Sequence, residues 1–366
     1  MTGPGRTLGI LGGGQLGRFI ALAARTLGLK TAALDPSASA PALQVVDIPL
    51  VGSLDVPAPA KRLAELSDVV TLEWELIPAA VLEEVAKIKP LHPSPSVLAV
   101  IQDRLTQKTF LTKNHFPQTE YGKVSSLDDL PNHPVVLKRR THGYDGKGQV
   151  RITSPKNTPD AVALITKPCL WEAVVPFEKE ISVILARDQN GQTSVYPIAE
   201  NLHRNGILHA TLAPADIPGD TAGQAVELAR NIAETLGHVG VMTVEMFLLK
   251  DGTLLINEIA PRVHNSGHYT LEACQTSQFE QHVRAVCALP LGPTEAKGPA
   301  VMVNLLGDLW KNGQPQWEEL DATPGLTRHL YGKSEARPGR KMGHYTVVGP
   351  SASAEWRRAL SSIQQA

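Results

Sequence analysis

Short apolar runs alternate with amphipathic stretches along the chain from Leu8 to His92. The strand-like runs are LGILGG, TAALD, VDIPLVG and DVVTLEW. The helical stretches that lie between and after them are GRFIALAARTLG, KRLAEL and PAAVLEEVAKI. Strand–helix alternation of this kind predicts a parallel, doubly wound sheet. It amounts to one mononucleotide-sized half, whereas a complete dinucleotide-binding domain has two.

The pattern changes at a Pro- and Ser-rich break, His92 to Ser96, where we predict the first domain boundary. One helix is predicted after this break, as far as His115. From Pro134 onward a mostly antiparallel arrangement is predicted by the strand-like runs VVLKRR, QVRIT, CLWEAVVPF and EISVILARD. An amphipathic helix, TAGQAVELARNIAETLG, and a hairpin, GVMTVEMFLLKDGTLLINEIAPR, follow. A short segment begins near Gly298 and contains the strand-like VMVNLLG and the basic loop KSEARPGRKMGH. The chain therefore combines an α/β part with an α+β part.

Glycines at positions 12, 14 and 17 follow the first apolar run with the spacing G-x-G-x-x-G. Asp35 ends the second run, where a ribose-binding acid stands in dinucleotide folds. The pattern leaves open an NAD-dependent oxidoreductase. It equally fits a strand-to-helix turn whose amide groups meet another anion. A lone glycine fingerprint is weak support for NAD, and a second mononucleotide half is not readable in the sequence.

Composition narrows the classes of function. A formal net charge of −1 and 5% aromatic residues argue against a nucleic-acid-binding protein, which needs a basic face or stacking platform. No apolar run approaches the ~20 residues of a membrane helix, and the N-terminus has no signal-peptide h-region. The three cysteines are an odd number without a C-x-x-C pair, which disfavours disulfides and a cysteine zinc site. We expect a cytoplasmic protein with neither nucleic acid nor membrane as partner.

Two acidic residues face each other in the predicted hairpin. If Asp251 and Gly252 form a two-residue turn, the register places Glu245 opposite Glu258, with Cβ atoms ~5 Å apart. Such a pair is unfavourable unless a cation lies between, and carboxylates suit Mg²⁺ bound with nucleotide phosphates. Alternatively, both acids face water or pair with lysines, or a longer turn shifts the register. Asn257 would point to the other face unless the strand twists or ends nearby.

A basic, glycine-rich loop offers an anion site. Lys138 ends a strand, and the glycines among residues 143–148 allow backbone N–H groups to converge on an anion. The loop is not a Walker A motif, and by itself it is also compatible with a flexible surface hairpin. Glu172 and Glu180 could bracket an adenosine, with the backbone of Ala173 to Val175 at the adenine edge. Either glutamate could instead be a solvated surface residue.

The loop PRVHNSGHYT after the hairpin is polar and is interpreted as the wall of a substrate pocket. Its histidines, His264 and His268, have i, i+4 spacing, but the intervening Asn-Ser-Gly disfavours a helix and H-E-x-x-H is absent, so zinc is not expected there. The C-terminal loop contains four basic residues that either are solvated at the surface or bind a phosphate group. They are Lys333, Arg337, Arg340 and Lys341.

Taken together, these segments resemble the ATP-grasp ligases, and among them the family of 5-(carboxyamino)imidazole ribonucleotide synthetases. The similar segments, in the family's order, are GGGQLGR, QDRLTQK, KRRTHGYDGKGQ, NLHRNGIL, NEIAPRVHNSGHYT, SQFEQHVRA and RPGRKMGH. The resemblance implies an N-terminal Rossmann-like parallel-sheet domain, a central ATP-grasp domain and a small C-terminal β-rich domain. We place these at residues 1–95, 96–298 and 299–366.

The resemblance also implies residue roles. Catalytic roles are implied for Lys138, Arg262 and His264. The implied magnesium ligands are Glu245 and Glu258. The implied ATP contacts are Arg104, Lys138, Gly143, Tyr144, Asp145, Gly146, Lys147, Gly148, Gln149, Glu172, Ala173, Val174, Val175, Glu180, His203, Asn257 and Glu258. The implied contacts to ribonucleotide and bicarbonate are Gln15, Glu73, Tyr144, Arg262, His264, Asn265, Ser266, Lys333 and Arg340. Two positions depart from related patterns: Ala260 replaces an asparagine of many ATP-grasp enzymes, and His142 stands where glycine is expected.

The resemblance implies that ATP, with Mg²⁺, activates bicarbonate and that aminoimidazole ribonucleotide is then carboxylated in purine biosynthesis. It also suggests a homodimer. The alternatives are another ATP-grasp ligase, such as a ribonucleotide transformylase or a biotin carboxylase-like subunit, an NAD-dependent dehydrogenase, and a non-catalytic nucleotide-binding module.

Overall fold

The computed structural model describes residues 5–143, 146–153 and 158–364. The first part of the chain forms the predicted parallel sheet. Its strands are β1 (Thr7–Leu11), β2 (Lys30–Asp35), β3 (Ile48–Val51), β4 (Val69–Leu72) and β5 (Leu91–His92), and its helices are α1 (Gln15–Thr26), α2 (Pro57–Glu65) and α3 (Ala79–Ile88). The strand order is β3-β2-β1-β4-β5, and all neighbours are parallel. The central strand β1 is buried along its whole length, which explains its continuous apolar sequence.

The predicted single helix after the first sheet is two helices, α4 (Pro95–Ile101) and α5 (Arg104–Lys113). Asp103 causes the break, because its carboxylate accepts the N–H groups of Leu105 and Thr106 and caps α5. The break directs Arg104, the first residue of α5, toward the acidic hairpin described below.

A small antiparallel sheet follows. It contains β6 (Tyr121–Val124), β7 (Val135–Arg139), β8 (Gln149–Ile152) and β9 (Cys169–Ala173) in the order β6-β9-β7-β8, with α6 (Thr158–Leu164) between β8 and β9. The predicted glycine-rich loop connects β7 to β8, so Lys138 lies at the end of a strand as expected.

The large antiparallel sheet occupies the rest of the molecule. Its elements up to the acidic hairpin are β10 (Lys179–Arg187), β11 (Thr193–Val195), β12 (Ala199–Arg204), β13 (Ile207–Ala213), α7 (Gly219–Leu236), β14 (Gly240–Leu248) and β15 (Leu254–Ala260). Those after it are α8 (Thr270–Ala273), α9 (Gln278–Val286), β16 (Ala300–Leu306), α10 (Glu318–Asp321), β17 (Leu326–Leu330), β18 (Lys341–Val348) and α11 (Ala352–Gln364). The predicted amphipathic helix is α7, which buries Ala225 and Ile232 and is capped at its C-terminus by Gly237, whose φ of 63° is left-handed.

The strands that follow Gly298 continue this sheet, because β16 pairs with β13 in the order β15-β14-β10-β12-β13-β16-β18-β17. The parallel-sheet part docks on the same structure through an apolar core, in which Phe19 of α1 lies 5.0 Å from Phe279 of α9 between ring centroids. This docking brings the first glycine-rich turn close to the loop between β17 and β18. No helix in the described ranges is both long and apolar enough to cross a membrane.

Candidate active site

The turn of the β14–β15 hairpin is longer than predicted, so the expectation of a two-residue turn is wrong. The Leu249 N–H donates to the Thr253 carbonyl over 2.9 Å, and the loop therefore runs from Lys250 to Gly252. The φ of 86° at Gly252 is the left-handed conformation that closes three-residue loops, and it favours glycine. The outer strand pairs are shifted by one residue as a result.

A β-bulge corrects this shift before the acidic residues are reached. Met246 pairs with Ile256, but the next pair is Glu245 with Glu258, so Asn257 is the extra residue. The predicted pairing of the two glutamates is thus confirmed, although two deviations that cancel each other produce it. Residues directly opposite in an antiparallel pair share a face, so both carboxylates lie on the same side of the sheet.

This acidic pair is electrostatically strained. The pKa of Glu245 is raised to about 7, chiefly by burial and also by the negative charges of Glu258 and Glu180, while the charge of His203 opposes this rise. The side-chain oxygen Oδ1 of Asn257 is buried and has no hydrogen-bond partner among the described residues. Oxygen ligands are those that Mg²⁺ and Ca²⁺ prefer, so the two paired carboxylates fit a hard dication.

Arg104 connects this hairpin to the glycine-rich loop. Its Nη1 donates to Glu258 Oε2 over 2.8 Å and its Nη2 donates to the Gly143 carbonyl over 3.1 Å. The next residue back along this loop, His142, adopts a φ of 61°, which agrees with the expectation that glycine would suit this position. Gly146, Lys147, Gly148 and Gln149 lie in the described part of the loop, whereas Tyr144 and Asp145 lie outside the described residues.

Glu172 is buried and ion-paired, which excludes its interpretation as a solvated surface residue. Its Oε1 lies 3.0 Å from Lys138 Nζ, and its Oε2 lies 3.2 Å from Lys108 Nζ and 3.0 Å from Thr119 Oγ1. Burial raises the pKa of Glu172, but the charges of Lys138, Lys108 and Arg104 outweigh it and lower the pKa to about 2. Lys108 was missed in the sequence, although it lies in the segment QDRLTQK that resembles the family.

A cavity of about 490 Å³ opens beside Lys138 and Glu172. Its wall includes the predicted adenine-facing segment Ala173 to Val175, and also Phe177 and Phe247, which the sequence did not single out. The two phenyl rings stack with centroids 4.7 Å apart and an interplanar angle of 10°. A flat apolar wall beside exposed strand-end backbone is suited to a planar aromatic ligand.

Glu180 and His203 form a hydrogen-bonded pair through Glu180 Oε2 and His203 Nδ1. Burial lowers the pKa of His203, but the hydrogen bond and charge of Glu180 outweigh it, so the pKa is raised. Both residues line the sheet surface near Glu245, and both retain partly exposed side chains.

The glycine-rich turn at the start of α1 does bind a carboxylate, but the carboxylate belongs to the protein. Glu73 accepts the N–H groups of Gly14 and Gly17 over 2.7 and 3.2 Å, and Asp35 accepts the N–H of Gly13 over 2.8 Å. A dinucleotide pyrophosphate would meet the charge of Glu73 there. The NAD-dependent dehydrogenase interpretation is therefore disfavoured by this turn.

A second cavity, of about 620 Å³, lies between this turn and the loop that joins β17 to β18. It brings together Gln15, Lys333 and Arg340, which were predicted substrate contacts, and Lys147 from the glycine-rich loop. Its cationic lining residues are Lys147, Lys333, Arg337, Arg340 and Lys341. Asp35 is the acidic residue in the lining, so the cavity is strongly cationic and suits a phosphorylated ligand.

Arg262 is held in a two-point ion pair by Glu75, a residue that the sequence analysis did not identify. Arg262 Nε and Nη2 donate to the two carboxylate oxygens, the latter over 2.8 Å, and Nη1 donates to the Val263 carbonyl over 3.1 Å. Burial raises the pKa of Glu75, but the charge of Arg262 outweighs it and the net shift is downward. The available signal was its position two residues after Glu73, in the motif TLEWE at the end of β4.

In the polar loop after β15, His264 lies near the acidic pair, whereas Asn265 and Ser266 are buried. His264 Nε2 lies 3.6 Å from Glu245 Oε1, while its Nδ1 accepts the Ser266 N–H over 3.3 Å. Asn265, in contrast, exchanges two side-chain hydrogen bonds with Asn304 of β16, and both residues are buried. Asn265 and the fully buried Ser266 thus fix the loop in this structure, and their predicted substrate contacts stay predictions.

Three family models match the chain in succession. They are the ribonucleotide synthetase preATP-grasp domain over residues 5–102, the ATP-grasp domain over 109–279 and the phosphoribosylaminoimidazole carboxylase C-terminal domain over 300–357. The fold and the charged site therefore define an ATP-grasp enzyme of the ribonucleotide synthetase class.

Whole-chain comparisons narrow this class. A Brucella melitensis protein named N5-carboxyaminoimidazole ribonucleotide synthase is 44% identical over 362 residues, which cover 95% of this chain and 97% of that protein. The chain belongs to the N5-carboxyaminoimidazole ribonucleotide synthase family. The Staphylococcus aureus N5-carboxyaminoimidazole synthetase complexed with ADP has a TM-score of 0.92 and 36% identity, and covers 99% of this chain and 98% of its own. The Aspergillus clavatus enzyme in complex with ADP and aminoimidazole ribonucleotide has a TM-score of 0.89 and 32% identity over 99% of both chains.

Proposed function

We propose that this chain carboxylates 5-aminoimidazole ribonucleotide with bicarbonate at the expense of ATP. The products are N5-carboxyaminoimidazole ribonucleotide, ADP and phosphate, in de novo purine biosynthesis. The observation that carries the proposal is the position of Arg262. It follows the acidic residue Glu258 by four positions, and it is bound by Glu75, whose neighbour Trp74 lines the cationic cavity. The charges of Glu258 and Glu73 both act on Arg262, so its guanidinium lies near the acidic hairpin and near the first glycine-rich turn.

ATP would bind on the side of the smaller cavity. The adenine would lie near Phe177 and the backbone of Ala173 to Val175, with Glu180 available to the ribose hydroxyls. Lys138 and the described glycines of the β7–β8 loop would face the phosphates, where their positive charge and N–H groups stabilise the charge that develops as the γ-phosphoryl moves.

Glu245 and Glu258 would hold Mg²⁺, with Asn257 Oδ1 as a further oxygen donor. A bound Mg²⁺ would neutralise phosphate charge and would favour the ionised form of Glu245, whose pKa burial and the neighbouring acids raise to about 7. Arg104 donates a hydrogen bond to Glu258 Oε2. When this oxygen binds Mg²⁺, Arg104 would share or release it and could then turn toward the phosphates.

Bicarbonate would attack the γ-phosphorus through an oxygen, releasing ADP and forming carboxyphosphate. Three of the five N–H groups of Arg262 are already used, which leaves two donors for the oxygens of the carboxyphosphate. The amine of the ribonucleotide then takes the carboxyl group, and phosphate leaves. His264 is a candidate proton acceptor: because its Nδ1 accepts the Ser266 N–H, its Nε2 carries the ring proton, and the amine proton would go to Nδ1 once this hydrogen bond is released, giving the imidazolium.

The ribonucleotide phosphate would bind in the larger cavity, to Lys333 and Arg340 with Gln15 nearby. The β7–β8 loop contributes Lys147 to this cavity and directly follows the strand whose Lys138 lines the other, so its closure would exclude water from both at once. Exclusion of water matters because carboxyphosphate hydrolyses readily. A homodimer and a cytoplasmic location are further proposals, which rest on the family resemblance and on the composition.

Phosphate release tests the proposal, with ATP, bicarbonate and the ribonucleotide omitted one at a time. We expect full release only when all three are present, together with formation of the carboxylated product. Release that is equally fast with glycinamide ribonucleotide and formate would favour a transformylase instead. ATP binding without any release would indicate a non-catalytic module.

A further inference from the structure

A second group of metal-binding side chains lies outside the proposed active site. His329 of β17 and His344 of β18 are directly paired across the two strands, so both imidazoles point to the same face. Their rings stack with centroids 4.8 Å apart. Glu272 of α8 reaches the same place, and one ligand atom from each of the three residues lies within 4.8 Å of the others.

Hydrogen bonding within this group is incomplete. Glu272 Oε1 bonds to His329 Nε2 over 2.6 Å, and Tyr331 Oη bonds to His344 Nδ1 over 2.8 Å. Glu272 Oε2 and His344 Nε2 are buried and have no partner among the residues that the structure describes. An unsatisfied buried carboxylate oxygen and imidazole nitrogen in one place are costly unless a ligand joins them.

We propose that Glu272, His329 and His344 form a binding site for Zn²⁺. Two imidazole nitrogens and one carboxylate oxygen are a common zinc donor set, which leaves a fourth position for water. The Tyr331 hydroxyl supplies the second hydrogen bond that orients a metal-bound imidazole. The partly exposed side chains of His329 and Glu272 provide an entry path.

The chemistry of this site differs from that of the oxygen-only pair Glu245 and Glu258. Imidazole nitrogen favours zinc over magnesium, so the two sites would select different ions. Burial lowers the pKa of His344 well below its usual value, which keeps the imidazole in the neutral form that binds metals. A metal here would join α8 to the strands that flank the cationic loop of residues 331–341, and its role would be structural.

The experiment uses the full chain, stripped of metal by a chelator and held in saturating Mg²⁺. Zn²⁺ is titrated into it by calorimetry, and we expect one Zn²⁺ per chain. His329→Gln and Glu272→Gln should each weaken binding by more than roughly 100-fold, and Tyr331→Phe, which leaves the ligands in place, by roughly 10- to 100-fold. The control His115→Asn changes an exposed histidine with a φ of 58°, which asparagine tolerates, and should bind as the unmodified chain does.

Two further measurements separate this site from other histidine–carboxylate contacts. Co²⁺ in place of Zn²⁺ should give the strong visible absorption of a four-coordinate nitrogen–oxygen site, and His329→Gln should abolish it. Glu245→Gln should leave Zn²⁺ affinity unchanged. The proposal is overturned if no Zn²⁺ binds, or if Zn²⁺ affinity falls with Glu245→Gln but not with His329→Gln and Glu272→Gln.

Discussion

The ion pair between Glu75 and Arg262 leads to a quantitative prediction for Glu75→Gln. The amide keeps one acceptor oxygen, so one of the two charge-assisted hydrogen bonds to the guanidinium is lost. Such bonds contribute about 1.5–3 kcal/mol each. Arg262 is only 16% exposed, so little solvent is available to replace the lost partner. If that energy holds Arg262 in its productive position, kcat/KM for bicarbonate should fall roughly 10- to 150-fold, because each 1.4 kcal/mol is a factor of ten.

The assay is phosphate release with bicarbonate varied and the other substrates saturating. ADP affinity, measured by calorimetry, should stay the same, because the Glu75 carboxylate bonds to Arg262 and the lining of the smaller cavity includes neither residue. Glu84→Gln is the matched control, since Glu84 is an acid in the same domain whose ion pairs with Lys61 and Lys87 are at the surface. This control should alter kcat/KM by less than twofold.

A double-mutant cycle separates positioning from general loss of stability. In an Arg262→Gln background the additional change Glu75→Gln should have little further effect, because the residue that it positions is already gone. The reasoning is refuted if Glu75→Gln leaves kcat/KM for bicarbonate within twofold of the unmodified chain. It is also refuted if the two substitutions lower the rate by independent, multiplicative factors.

The other predictions concern the metal pair, the first glycine turn and the cationic cavity. Because the pKa of Glu245 is raised to about 7, Mg²⁺ must displace the proton of this carboxyl group at lower pH. The affinity for Mg²⁺ should therefore fall by about tenfold per pH unit from pH 7 down to pH 5, which calorimetry in two buffers can measure. Glu258→Gln should abolish this binding and turnover without changing the circular dichroism spectrum. Gly14→Ala would place a Cβ 2.6 Å from the Glu73 carboxylate and should lower the free energy of unfolding by about 1–3 kcal/mol, as measured by thermal unfolding. The control Gly223→Ala adds a Cβ in open space on α7 and should be neutral or stabilising. Arg340→Glu should raise KM for the ribonucleotide roughly 10- to 100-fold, with a smaller effect on KM for ATP.

The parallel sheet could be predicted because its central strands β1, β2 and β4 are largely buried and therefore largely apolar. The pairing of Glu245 with Glu258 was predicted for a reason that was only partly right. Hairpin register depends on turn geometry, and both the three-residue loop and the bulge at Asn257 depend on local backbone conformation, which a two-residue signal such as Asp251–Gly252 does not specify.

Ion pairs between distant segments could not be predicted from local patterns. Glu75 and Arg262 are 187 positions apart, and Lys108 of α5 meets Glu172 of β9 only in the folded chain. A single glutamate or lysine in a sequence is equally compatible with a surface position, so its partner is visible only after folding. The grouping of Gln15 with Lys333 and Arg340 came from the family resemblance, since no spacing rule connects the two ends of the chain.

The charged residues of the site already have partners of opposite polarity before any substrate binds. Arg104 is paired with Glu258, Lys138 with Glu172, and Arg262 with Glu75. Substrates would therefore exchange partners with these side chains, so that no isolated charge is left buried at any step. Under the proposed function, Mg²⁺ and ATP together would do this at Glu258 and Arg104, because the cation would bind the carboxylate and the phosphates would bind the guanidinium. Neither ligand alone supplies both charges, which favours their joint binding.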